Sequence, residues 1–157
     1  MQEFITMKKA IILLMAGMLW LVSCKDEPVE ASNVPSFDAL KTTNLLGQWQ
    51  FRSYTDGKPF KYDVSMEIKI EDGKPTINGR SSVNFYFIEP EIDESKKTIK
   101  IPAVGSTKIA GTMDATSFEM TYYERLKRVE RYDFVDKNTL VIYLSSPANE
   151  ALYFDKK

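Results

Sequence analysis

Glu89, Glu91, Asp93 and Glu94 form the densest carboxylate cluster in the chain, and Asn84 lies a few residues ahead of them. Paired carboxylates can hydrolyse glycosides, and a set of carboxylate oxygens can ligate calcium. This cluster flanks Pro90 near a predicted strand end, so it is read as a solvated acidic loop with a metal site as the alternative. The chain has no histidine. That removes Ser-His-Asp and Cys-His catalysis, His-ligated zinc and imidazole acid/base work. No glycine-rich phosphate loop precedes a predicted helix. The expectation is a protein that is not an enzyme and carries no metal and no cofactor. Asn84 sits between Val83 and Phe85 on a strong strand. A buried amide there must be satisfied, so Asn84 is read as a backbone-bonding residue that fixes a turn, with ligand contact as the alternative. Tyr86 and Trp49 join it as candidate binding or structural residues. The many aromatics, among them Phe51, Tyr54, Phe60, Tyr62, Phe85 and Phe87, are read one by one as core. An exposed subset would make a carbohydrate or peptide platform, because Tyr and Trp pair an apolar body with a polar tip.

The remaining reactive side chain is Cys24, the only cysteine. Lys8 and Lys9 precede Ala10 to Val22, a run without a charged or polar side chain. A bilayer span needs roughly 20 apolar residues, so this shorter run fits the h-region of a cleaved secretion signal. Met7 starts a conventional signal, which leaves Met1 to Thr6 as an expected mis-start upstream. Leu21-Val22-Ser23-Cys24 resembles a bacterial lipobox, in which cleavage precedes the cysteine and the new N-terminus is acylated with palmitate-like chains. Each buried CH₂ adds about 0.8 kcal/mol, so several chains anchor stably. Lys25-Asp26-Glu27 then reads equally as a surface-export signal or as the start of a solvated linker. The expected location is the cell envelope, lipid-anchored to the outer membrane, on its periplasmic or its exposed side.

Three segments follow from this reading: a signal peptide at 1–23, a lipidated Cys24 with a tether over 24–44, and a domain over 45–157. Cleavage removes Glu3, Lys8 and Lys9, so 21 basic and 22 acidic residues become 19 and 21. That near-neutral balance has no basic block, and no nucleic-acid partner is expected. The tether is polar, holds Pro28 and Pro35, and as a flexible chain of about 20 residues has a root-mean-square reach of roughly 25 Å. With no second cysteine, the domain must stand on its core alone, even in an oxidising compartment.

Within the domain, Gly47 to Tyr54 alternates in part, and Val64 to Glu71 alternates cleanly, as a half-buried strand does. Asp56-Gly57 and Asp72-Gly73 are both hairpin signals, and Asn78-Gly79 is a third turn signal. Asp-Gly-Lys-Pro occurs twice, which is read as turn chemistry used twice, since the flanks do not match. Val83, Phe85 and Phe87 share one strand face, with Asn84, Tyr86 and Ile88 on the other, and Pro90 closes the strand. Thr98 to Ile101 is a short strand. Phe118, Tyr122, Leu126 and Val129 predict a helical stripe, and Thr116-Ser117-Phe118-Glu119 matches a capping box. Glu124 and Arg128 are spaced for an i, i+4 ion pair. Arg131–Val135, Leu140–Leu144 and Ala151–Phe154 close the chain as strands. The fold class is α+β: a curled antiparallel sheet or partly open barrel with one main α-helix packed on it.

The order of these segments resembles the META domain, the HslJ-like family. Leu46-Gly47-Gln48-Trp49 looks like its first strand. Ile77 to Tyr86 is similar to its Gly…Gly-Cys-Asn segment, and Gly105 to Gly111 resembles its Thr-[Arg/Lys]-Met-[Ala]-Cys stretch. The Phe118-Glu119 helix with Leu126, Val129 and Tyr132, and the pair Leu140–Leu144 and Ala151–Phe154, match the rest. Val83 and Gly111 stand where many members carry cysteines, and both are missing together here. The resemblance implies a β-rich domain with a helix on one side, and a loose tie to envelope stress, antibiotic tolerance and secretion. The expected function is a non-catalytic envelope lipoprotein that supports envelope integrity or stress tolerance by binding another component. The expected partners are the membrane through Cys24 and an envelope protein or small ligand. The alternative is a small-ligand or carbohydrate/peptide-binding module with an aromatic pocket.

Overall fold

A computed structural model describes residues 44–57, 60–146 and 149–157. The expected signal peptide, Cys24 and all of the expected tether before Asn44 lie outside the described residues. The chain runs β1 (Gly47–Tyr54), β2 (Ser65–Glu71), β3 (Lys74–Arg80), β4 (Phe85–Ile88), β5 (Glu91–Asp93), β6 (Thr98–Lys100), β7 (Gly105–Ser106), α1 (Met113–Leu126), β8 (Val129–Asp136), β9 (Thr139–Leu144) and β10 (Ala151–Lys156). The ten strands make one curled antiparallel sheet in the order β5-β6-β8-β9-β10-β1-β2-β3-β4-β7, a half-barrel with α1 packed on it. The α+β expectation holds.

The alternation along each strand decides which face is inside. Trp49 and Phe51 of β1, Met66 and Ile68 of β2, Ile77 of β3 and Tyr86 and Ile88 of β4 are buried, as are Leu126 of the helix and Leu140, Ile142, Leu152 and Phe154. The ring of Phe51 sits at the centre, 4.6 Å from Phe60, 4.9 Å from Tyr54, 5.3 Å from Phe154 and 5.6 Å from Tyr122. Aromatic pairs at these distances add about 0.5–1.5 kcal/mol each beyond their area burial. Trp49 donates its indole N–H to the Leu45 carbonyl at 2.9 Å, so its one polar atom is satisfied in the core.

The turns divide between those the sequence placed correctly and those it did not. Asp72 and Gly73 have φ of 48° and 77°, the left-handed pair of a two-residue turn joining β2 to β3. Asp56-Gly57 also turns, with the Gly57 N–H donating to the Tyr54 carbonyl, yet it closes no two-residue hairpin because β2 starts only at Ser65. Asn78-Gly79 is no turn at all: both lie inside β3, opposite Phe87 and Tyr86 of β4. Gly79 is needed for close approach. A Cβ there would lie 2.1 Å from the Ser65 carbonyl oxygen and 2.6 Å from the Tyr86 ring and hydroxyl. The bare backbone lets the Tyr86 phenol cross β3 and donate to the Ser65 carbonyl of β2 at 3.0 Å. The real β3–β4 corner is Ser81 to Asn84, closed by the Ser81 N–H donating to the Asn84 carbonyl at 3.0 Å.

The helix also starts elsewhere. Its N-cap is Thr112, whose hydroxyl accepts from the Ala115 N–H at 3.3 Å, one turn before the expected capping box. The buried stripe is therefore Ala115, Glu119, Tyr122 and Leu126, while Val129 already belongs to β8. Glu124 pairs with Lys127 at 2.8 Å, and Arg128 reaches Glu150 at 3.4 Å instead.

The Gly79 geometry has a direct consequence. Gly79→Ala must displace Tyr86 or spread β2 from β3, and it should destabilise at the upper end of about 1–3 kcal/mol. Urea melts of the variant and the wild type measure this. A loss under roughly 0.5 kcal/mol would mean that the close approach of Tyr86 is not required.

Candidate functional site

Glu119 is 7% exposed and points from α1 into the β3–β4 corner. Its Oε1 accepts the Asn84 N–H at 2.8 Å, the Val83 N–H at 3.0 Å, the Ser81 hydroxyl at 2.7 Å and the Ser82 hydroxyl at 3.0 Å. Its Oε2 accepts the Asn84 side-chain amide at 2.7 Å. Consecutive backbone N–H groups turned toward one point form a concavity that suits an anion. Here the anion is supplied from within the chain.

Asn84 extends the network to the third element. Its Oδ1 accepts the Ile109 N–H at 2.6 Å and the Thr107 hydroxyl at 2.8 Å, and its Nδ2 also reaches the Ile109 carbonyl at 3.1 Å. Thr107 in turn accepts the Phe85 N–H at 3.1 Å and donates its own N–H to the Phe85 carbonyl at 3.0 Å. Ser81 gives its single proton to Glu119, so the Tyr123 hydroxyl at 2.8 Å donates to Ser81. Asn84 thus bonds to the backbone of Ile109 on one side and to the Glu119 carboxylate on the other. Trp49 and Tyr86, the other two candidates, are buried in the core.

Electrostatics follow from the bonds. Burial works to raise the Glu119 pKa, and hydrogen bonds from the Asn84 side chain and backbone and from Ser81 and Ser82 outweigh it, holding the carboxyl at about 2 against an ordinary 4.5. Burial raises the hydroxyl pKa of Tyr86, Tyr122 and Tyr123, so all three stay protonated at neutral pH. The acidic cluster does something else. Asp93 accepts from the Ser95 hydroxyl at 2.6 Å, the Lys96 ammonium at 3.1 Å and the Lys96 N–H at 3.2 Å in the β5–β6 turn, and those bonds hold it at about 2. Among the described residues no group of three His, Cys, Asp or Glu side chains is placed to hold a metal ion.

Beside the network lies an apolar surface that the sequence analysis did not single out. Phe85 and Phe87 are each 58% exposed on the outer face of β4, and Ile109, tied by its backbone to Asn84, is 53% exposed. The Phe87 ring lies over Gly105, where an added Cβ would meet it at 2.1 Å. The alternation of residues 83–88 divides the two faces correctly, but it cannot say which one is inside. Glu119 was missed because Thr116 three positions earlier fits a capping box. Its spacing from Ala115, Tyr122 and Leu126 was the signal that it points inward.

A family model for the META domain matches residues 42–157, and the chain belongs to the META domain family. No curated protein sequence matches it. Among solved structures, it is similar to a protein from Burkholderia xenovorans determined by NMR, at 15% identity and a TM-score of 0.55 over 71% of this chain and 81% of that one. It is also similar to a DUF4847 family protein from Bacteroides vulgatus, a crystal structure, at 16% identity and a TM-score of 0.53 over 75% of this chain and 97% of that one. A further NMR structure, at 14% identity, has a TM-score of 0.52 over 70% and 88%. At these identities the likeness is one of fold.

The two positions where many family members carry cysteines prove to be neighbours. A Cβ built on Gly111 would lie 3.7 Å from the Val83 Cβ, within the 3.5–4.5 Å that disulfides span. The double variant Val83→Cys/Gly111→Cys should oxidise to a disulfide and gain roughly 3–4 kcal/mol from the loop it closes. Intact mass and melts with and without reductant check this, and two free thiols under oxidising conditions would contradict the geometry.

The Glu119 bonds make stability depend on pH. Because folding depresses this pKa, the contribution is fully present above about pH 5 and is lost as pH falls from the ordinary 4.5 toward 2. A shift of this size corresponds to roughly 3 kcal/mol. Glu119→Gln should destabilise at pH 7 and flatten the stability loss between pH 5 and 2.5 relative to the wild type. Parallel slopes in that window would show that Glu119 titrates alike in the folded and unfolded chain.

Proposed function

We propose that this META-domain chain is a non-catalytic, lipid-anchored protein of the bacterial cell envelope. It supports envelope integrity or stress tolerance by holding another envelope component. The observation that carries the reading is where three of the six exposed large apolar side chains among the described residues fall. Phe85, Phe87 and Ile109 belong to two segments bonded to each other through Asn84 and Thr107, in a densely hydrogen-bonded corner of the described residues. An exposed apolar patch fixed on rigid backbone marks an interaction surface. The inner aromatics favour the same conclusion. Phe51, Tyr54, Phe60, Phe118 and Tyr122 pack against one another, so an aromatic ligand pocket would have to displace core contacts. The one buried carboxylate at this corner already has five donors, which leaves it little freedom for acid/base work. The lipobox-like Leu21-Val22-Ser23-Cys24 supports the anchor.

Complementation tests this reading. Cells lacking the protein should become sensitive to detergent, and the wild type should restore tolerance. Cys24→Ala should lose palmitate labelling, leave the membrane fraction and fail to restore tolerance. Phe85→Ser/Phe87→Ser should melt within about 2 °C of the wild type, because both side chains are surface groups, and should also fail. Membrane retention of Cys24→Ala at wild-type levels would contradict the anchor. Full restoration by the double Ser variant would contradict the surface.

A further inference from the structure

We infer that the Phe85–Phe87–Ile109 face rests on the lipid bilayer that holds the Cys24 anchor, so that the domain lies against the membrane instead of hanging from it. This rests on the reading of Cys24 as lipidated, and it takes the envelope component held by this face to be the bilayer itself. The length of chain before the domain and the place where it joins are the first argument. From Cys24 to Asn44 the chain has about 20 residues, and a polar tether of that length, as the sequence is read, has a root-mean-square reach of roughly 25 Å. It enters the sheet at Gly47, the first residue of β1. The next ladder row is Gln48, Glu67, Asn78 and Phe87, so Phe87 lies three strand spacings, about 14 Å, from the start of β1. A leaflet holding Cys24 is therefore within reach of Phe87, and the tether presents that leaflet at high effective concentration.

The chemistry of the face is the second argument. The outward side chains Phe85 and Phe87 lie two residues apart on one strand, about 7 Å along it, and Ile109 adds a third apolar group. Arg80 is paired with Phe85 across the ladder, and Lys108 is the residue before Ile109. Both cations are exposed, and neither forms an ion pair among the described residues. Apolar tips with cations beside them suit the boundary between acyl chains and phosphate headgroups. Glu89 continues the outward row beyond Phe87, and Glu67 stands two strands away in the same ladder row. These carboxylates limit the depth, so the contact is interfacial and does not depend on anionic lipid.

The test uses the mature lipidated chain reconstituted in phosphatidylcholine vesicles, with bromine on the upper acyl carbons of the lipid as a quencher. Phe87→Trp places a fluorophore on the face. Val135→Trp places one on β8, six strands from β4 in the sheet and 69% exposed in the parent protein. Buried Trp49 gives both variants the same background. The expected result is at least twofold stronger quenching of Phe87→Trp than of Val135→Trp, with a blue-shifted emission. Phe85→Trp serves as a second probe should Phe87→Trp melt early. Equal quenching in both variants, with mass spectrometry showing lipid on Cys24, would overturn the bilayer contact and leave the anchored, partner-binding reading standing. A Cys24 without lipid would overturn both.

Discussion

The carboxylate of Glu119 ties the helix to the β3–β4 corner and, through Asn84, to the segment after β7. One oxygen closes the β3–β4 corner by accepting from Ser81, Ser82, Val83 and Asn84, and the other fixes the Asn84 amide, which in turn holds Thr107 and Ile109. The helix, the corner and the approach to α1 after β7 are thereby registered against one another by two side chains, Glu119 and Asn84, in addition to the backbone pairing of β4 with β7. Taking a carboxylate out of water costs several kcal/mol unless it is fully bonded, and bonds from donors to an ionised acceptor are about twice as strong as neutral ones. With five donors the balance favours the charge, which is why its pKa falls although burial alone would raise it. A buried group satisfied in only one geometry also rejects alternative placements of the helix, which an apolar contact tolerates more readily.

The same corner explains the surface. Turning Asn84 inward sets the alternation that follows, so Tyr86 and Ile88 go to the core while Phe85 and Phe87 face out. Tyr86 then meets Tyr122 of the helix, hydroxyl to hydroxyl at 3.0 Å, across the gap that Gly79 leaves open. The exposed phenylalanines are thus the outer side of an arrangement whose inner side is fully determined. In family members with cysteines at the positions of Val83 and Gly111, a disulfide could reinforce this junction. Here the Asn84 bonds to Ile109 and the contact of Val83 with Gly111 hold it without one.

Much of the architecture was legible in the sequence because period-two alternation is a direct image of a half-buried strand. Val64 to Glu71 shows this, and Asp72-Gly73 specified its own turn through two positive φ angles. Asn78-Gly79 misled for a physical reason. The same glycine that permits a tight turn also permits a close crossing by a neighbouring side chain, and only the tertiary partner, Tyr86, distinguishes the two. Glu119 misled in the same way. A glutamate three residues after Thr116 satisfies a local capping rule, yet its partners come from a corner 35 to 38 residues away, which no local pattern encodes. The candidate site was half legible: Asn84 stood out as a polar residue between apolar ones, while the acid that it serves did not.

The most direct test of this account is the titration of Glu119 itself. Carboxyl-carbon NMR of the folded domain, labelled at glutamate and assigned by Glu119→Gln, follows its ionisation between pH 7 and 1.5. The network predicts a midpoint near 2, far below 4.5, and loss of the Val83 and Asn84 amide shifts characteristic of bonding as the proton binds. A midpoint at or above 4.5 would mean that the carboxylate is not held by the β3–β4 corner, and the organisation described around it would be wrong.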